Sequence, residues 1–232
     1  AYGLVQGVGQ FGLLFTGMQM GMPAGMASVV LQTQAFITML MAAALLGEKP
    51  QRWQWLGLCI AIAGLILIGA AHGDGAADMT LAGFVLTVGA AAMWAASNLI
   101  TRVAAQQGPY EPVSFIVWTS LFPIVPLGLL SIGTEGADAI VQQLHRVGLR
   151  EVGVVAYLAL LSTLLGYGLW TRLLQRYAAS TVAPLSLLVP VIGLLSAMLL
   201  LGEFPSGLQW LGTGGVLLGM VINQLGGRWV RR

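Results

Sequence analysis

The side chains able to do chemistry in this sequence are almost all uncharged. Trp94 and Asn98 stand four residues apart, which puts both on one face of a helix. In an earlier apolar stretch Ser28 with Gln32, and Gln34 with Thr38, repeat that spacing on two different faces. Tyr157 precedes Thr163, Tyr167 and Trp170, the last three at intervals of four and three, and Ser186 lies between Pro184 and Pro190. Amides, hydroxyls and aromatic rings can replace water around a small polar solute without trapping it. Nucleophilic or acid–base catalysis would need Ser with His, or two Asp, within one site. His72 and His145 fall in connecting segments and no Asp enters an apolar stretch, which argues against an intramembrane protease. The single cysteine, Cys59, excludes a disulfide within the chain and a cysteine metal site, and it reads as a small buried hydrophobe.

The elements that carry these residues follow from composition. Of 232 residues, 57% are hydrophobic and 8% are charged, where a soluble domain carries about 25% charged residues. Water-soluble folds and nucleic-acid binders are excluded, and an all-α polytopic membrane protein is expected. A crossing helix takes about 20 apolar residues, because in lipid its backbone must bond to itself. Eight stretches qualify: Tyr2–Met20, Ala24–Leu46, Trp53–Ala71, Thr80–Ala104, Pro112–Gly133, Val152–Gln175, Val182–Leu201 and Gly207–Leu225. The segment between the fifth and sixth reads as a short amphipathic helix through Ile140, Val141 and Leu144. Alternate crossings put eight Lys and Arg on one side, including Lys49, Arg52, Arg102 and Arg228, against Arg146 and Arg150 on the other. The side richer in basic residues is the cytoplasm, so the C-terminus is expected there.

Leu46-Gly47-Glu48-Lys49-Pro50-Gln51-Arg52-Trp53-Gln54-Trp55-Leu56-Gly57 recurs from Leu201 to Gly212 with eight identities in twelve positions, at a constant offset of 155. The first copy lies on the cytoplasmic side and the second outside, so the repeats are inverted, a device of secondary transporters. Residues 1–71 form the last three helices of a first repeat, 72–79 a linker, 80–226 a five-helix second repeat and 227–232 a basic cytoplasmic tail. By the offset, two helices of about 75 residues are expected before Ala1, making a five-plus-five arrangement. Glu48 and Glu203, in the repeated turn, read as caps of the helices that follow them.

The turn Leu-Gly-Glu-x-Pro and the segments Gly21–Ser28, Leu31–Phe36, Trp94–Asn98 and Ala183–Pro190 resemble the EamA-type branch of the drug/metabolite transporter superfamily. The similarity is strongest to its bacterial inner-membrane exporters of the cysteine pathway. That resemblance implies alternating-access export of small polar metabolites such as cysteine and O-acetylserine, with the lipid bilayer and a small-molecule substrate as partners. Other amino acids or drug-like metabolites are the alternative cargo, and a non-transporting membrane scaffold the remote one. No cofactor is expected. Gln32, Gln34, Trp94, Asn98, Tyr157, Tyr167, Trp170 and Ser186 are the candidate substrate contacts. For Trp94 and Asn98 the competing role is interhelical bonding, and for the aromatic residues it is core packing. Only one of the Gln32 and Gln34 faces can line a given cavity. Pro184 and Pro190 remove backbone donors from their helix and make either a hinge or a fixed kink, and Pro123 and Pro126 do the same in the fifth stretch. No stretch contains Asp, Glu or His, so a proton-coupling carboxylate must lie outside the helices seen here, or transport runs down the metabolite gradient.

Overall fold

A computed structural model describes residues 1–73, 79–108, 111–166, 169, 173 and 183–229. Among them the chain is helical throughout. Helix α1 starts as a π-helix, Leu4–Gln10, and continues as Phe11–Gln19. Helix α2 runs Ala24–Leu46, with one 3-10 turn at Leu31–Thr33. Helices α3 (Arg52–Ala70) and α4 (Leu81–Gln107) follow. The fifth apolar stretch is broken at Pro123 into α5 (Pro112–Thr119) and α6 (Ile124–Glu135). The expected amphipathic segment is α7 (Ala137–His145). Helix α8 begins Leu149–Ala156 and winds into a π-helix at Tyr157–Leu165. Helix α9 opens as a 3-10 turn, Ala183–Leu187, before Leu188–Leu201, and α10 is Gly207–Trp229.

Among the described residues four helical stretches are long and apolar enough to cross a membrane: Ala24–Leu46, Arg52–Ala70, Leu81–Ala104 and, across the break between α5 and α6, Val113–Gly133; Leu185–Leu201 is a shorter apolar helix. Cys59 is exposed on α3, not buried as its apolar neighbours suggest, because a membrane helix turns hydrophobic residues outward as well as inward.

The chain forms two compact units. One comprises Ala105–Val182 and carries α5 to α8. The other comprises Ala1–Ala104 with Ala183–Arg232 and has a core of Met26, Val29, Val30, Ile68, Val216 and Met220. In this second unit the helices flanking the two copies of the repeated turn pack on each other. Helix α10 lies along α3, and α9 lies on the first half of α2, Ala24–Val30.

The repeated turn has one geometry in both copies. Gly47 and Gly202 end α2 and α9 in the left-handed region, at φ +67° and +68°, where a Cβ is disfavoured. The next N–H closes each helix: Glu48 donates to Ala42 O at 3.4 Å and Glu203 to Ala197 O at 3.3 Å. Each following helix then carries a glutamine in its first turn that caps its start. Gln51 N–H donates to Gln54 Oε1 at 2.7 Å, and Ser206 N–H to Gln209 Oε1 at 2.9 Å, with Gln209 N–H returned to Ser206 Oγ at 3.3 Å. These starts are therefore capped by Gln54 and Gln209, leaving Glu48 and Glu203 for other partners. The expectation that the two glutamates cap the helices after them is corrected.

Helices α3 and α10 meet backbone to backbone. A Cβ on Gly57 would lie 2.5 Å from Gly219 O, and one on Gly64 2.5 Å from Gly212 O. As residue numbers rise along α3 they fall along α10, so the pair is antiparallel. Gly57 and Gly212 are offset mates, as are Gly64 and Gly219; replacing each glycine by its mate turns one contact into the other.

Candidate functional site

Helix α4 carries the polar residues that face its neighbours. Asn98, half-buried, donates from Nδ2 to Gln34 Oε1 at 2.7 Å and, more weakly, to Thr38 Oγ1 at 3.4 Å. The Thr38 hydroxyl donates to the Gln34 carbonyl at 2.7 Å, one turn back along α2. Trp94, also half-buried, lies one turn before Asn98 on α4. The structure thus brings together Gln34, Asn98 and Thr38, with Trp94 on the same face of α4. It leaves out Gln32, which is 5% exposed on another face of α2 and makes no side-chain hydrogen bond among the described residues. Ser28, on that first face, turns to α9: its hydroxyl donates to Gly25 O at 2.7 Å and reaches Pro190 O at 3.4 Å.

Ser186 is partly buried in the 3-10 turn that opens α9, which also contains Pro184. Pro190 is buried in the first turn of the α-helical part, where its missing N–H costs least. The winding changes from 3-10 to α between the two prolines. Tyr157 belongs to the Ala105–Val182 unit and is 59% exposed; Tyr167 and Trp170 lie outside the described residues.

Three polar residues escaped the sequence reading. Gln6 and Gln10 are buried in the π-helical part of α1, at 8% and 3% exposure, and Ser97 is buried on α4. The Ser97 hydroxyl donates to Gln6 Oε1, and Gln6 Nε2 donates to Gln10 Oε1 at 2.9 Å. The signal was available: two amides four apart in an apolar stretch, the spacing already used for Trp94 and Asn98.

Charges stay at helix ends. Arg102 pairs with Glu48 at 2.7 Å, both side chains nearly half exposed. Glu203 Oε2 accepts the Gly25 N–H at 2.9 Å and so caps α2, a helix 178 residues away in sequence. Among the described residues no group of three His, Cys, Asp or Glu could hold a metal ion.

Among the described residues, apolar helices long enough to cross a bilayer, uncharged polar clusters between them and charges near their ends are the marks of a multi-pass membrane protein. Residues 1–70 and 81–224 match the EamA-like transporter family, and the chain belongs to it. It is 45% identical to a probable amino-acid metabolite efflux pump of Salmonella typhimurium, over all of this chain and 77% of that protein. A protein of the same description from Escherichia coli is 39% identical over 98% of this chain and 76% of its own length. A probable terminal-alkyne amino-acid exporter of Streptantibioticus cattleyicolor is 25% identical, over 91% of this chain and 69% of its own. No solved structure matches.

Proposed function

We propose that this protein exports small polar metabolites, amino acids first among them, across the bacterial inner membrane by alternating access between inverted repeats. The observation that carries this reading is the Asn98–Gln34–Thr38 cluster, a neutral hydrogen-bonding site between apolar helices. A zwitterion is neutral overall, and neutral partners bind it without holding it as a fixed charge would. The names of the relatives favour amino-acid cargo. Cysteine and O-acetylserine are the narrower reading, which rests on the family resemblance; drug-like metabolites are the broader one.

The inverted repeat is supported by the mate-for-mate antiparallel contact of α3 and α10, and by the common geometry of the turns at Gly47 and Gly202. On this reading eight spans, with repeats at 1–71 and 80–226, belong to a ten-helix arrangement whose C-terminus is cytoplasmic. Helix α9 bears on the first half of α2, while among the described residues its contact with the second half, Gln34–Leu46, is slight. One end of this helix pair is therefore closed and the end nearer Gln34 and Thr38 is looser, as one state of an alternating carrier requires.

The test is uptake of labelled cysteine, O-acetylserine and a panel of other amino acids into inside-out vesicles containing the full-length protein. Accumulation above empty vesicles is expected for at least one amino acid. No accumulation of any would overturn the reading.

A further inference from the structure

Two hydrogen-bonded chains start from adjacent residues of α4 and run to different helices. From Asn98 the chain passes to Gln34 on α2 and ends at Gln34 Nε2. From Ser97, whose hydroxyl also lies 2.8 Å from Trp94 O, it passes to Gln6 and then to Gln10 on α1. This second chain ends at Gln10 Nε2, whose two N–H groups have no acceptor among the described residues. The side chain is only 3% exposed, yet Gln10 Nε2 is not one of the fully enclosed polar atoms without a partner, which among the described residues are Gln209 Nε2, Thr213 Oγ1 and Gln224 Oε1, so this donor pair opens on a space that water or a ligand can enter.

The backbone supports the placement. Gln6 stands beside Ser97, and a Cβ on Gly9 would meet Met93 Cγ at 3.0 Å, so α1 and α4 run antiparallel and Gln10 lies about level with Ala92 and Met93. Leu4–Gln10 is wound as a π-helix, an uncommon winding that concentrates at functional sites. The α1 chain thus ends beyond Ser97 along α4, near the level of Met93, while the α2 chain stays level with Asn98.

We propose that Gln10, aligned by Gln6 and Ser97, is a specificity-determining residue that binds the carboxylate of the transported amino acid. The inference rests on the exporter reading above and deepens it. A carboxylate has only acceptors, and an amide N–H pair offers only donors. Because neither Gln10 nor Gln6 carries a charge, the carboxylate is recognised without the ion pair that would slow its release. Ser97 and Gln6 are positioning residues: each holds the next amide in the orientation that leaves the terminal NH₂ outward.

The experiment compares wild type with Gln10→Met in inside-out vesicles of the full-length protein. A labelled, transported amino acid is competed by the same amino acid, by its amide and by its decarboxylated amine. Wild type should favour the acid. Gln10→Met should raise the apparent KM for the acid about ten- to a hundredfold, the range for one hydrogen bond to a charged group, with kcat retained and the amine unaffected. Gln6→Met should show a weaker form of the same loss.

Equal losses for acid, amide and amine, with a lowered melting temperature, would mean that Gln10 only holds helices together, and the proposal falls. A loss confined to the amine would mean that the chain ends on an acceptor, which also overturns it. If Gln10→Met does not accumulate in the membrane, Gln10→Asn, one methylene short of reach, carries the same comparison. Absence of uptake by wild type would remove the exporter reading itself; normal uptake with unchanged Gln10 variants would remove this proposal alone.

Discussion

Replacing Gly64 by alanine tests the packing of α3 on α10 directly. The added Cβ would lie 2.5 Å from Gly212 O, 2.7 Å from Val216 N and 3.0 Å from Gly215 C, all backbone atoms of α10. Ordinary contact begins at 3.4 Å, so the helices must part by about 1 Å, and no rotamer change can absorb the shift. Overpacking of this kind costs about 1–3 kcal/mol, and the better helix propensity of alanine returns about 1 kcal/mol. The net loss against wild type is about 0–2 kcal/mol, and the loss against a glycine-to-alanine change in open space is the full 1–3 kcal/mol, about 2–12 °C in melting temperature for a chain of this size. Gly214→Ala, on α10 but with nothing within 4 Å of the new Cβ, is the matched control and should melt at or slightly above wild type. The assay is thermal melting of the purified protein in detergent. A Gly64→Ala protein that melts as high as Gly214→Ala would refute the close approach of these backbones.

Three further outcomes can be measured. Asn98→Ala should raise the KM for the transported amino acid about tenfold without lowering the amount of protein in the membrane, and unchanged kinetics would remove Asn98 from the site. Glu203→Ala should cost about 1 kcal/mol of local stability and speed hydrogen exchange at Gly25, the amide its carboxylate now accepts; unchanged exchange there would discount the cap. At the start of α5, Glu111 accepts the backbone N–H groups of Ser114 and Val113, which hold its carboxyl below its ordinary value of 4.5. Its folded pKa being the lower one, this cap is fully present above the unfolded pKa and is lost as pH falls through the folded one. Amide protection over 113–119, corrected for the intrinsic pH dependence of exchange, should therefore fall in acid, and Glu111→Gln should remove that dependence.

The sequence reading reached the repeat because its signal is local: Leu-Gly-Glu-x-Pro needs a left-handed glycine and a capped restart, and Gly47 and Gly202 adopt one conformation. It paired Trp94 with Asn98 from helix spacing alone, and the structure adds Gln34 and Thr38 across the interface. Gln32 and Gln34 could not be separated beforehand, since the choice depends on which side of α2 meets α4. The partner of Glu203 lies 178 residues away, with no trace in neighbouring residues. Gln6 and Gln10 have the same four-residue spacing, but their stretch holds none of the segments that resemble the family, and so they were missed. The π winding that brings them beside α4 depends on tertiary packing and has no sequence pattern comparable to a glycine turn.

The four-glycine crossing of α3 and α10 also decides which motions are cheap. The close contacts fall at two levels, Gly57 with Gly219 and Gly64 with Gly212, seven residues or about 10 Å apart along each axis. Sliding one helix along the other, or rocking it on the other by about 10°, therefore drives backbone into backbone at one level or both. The pair behaves as a single stiff plank, and rearrangement within this unit is cheaper at its side-chain contacts than along this seam.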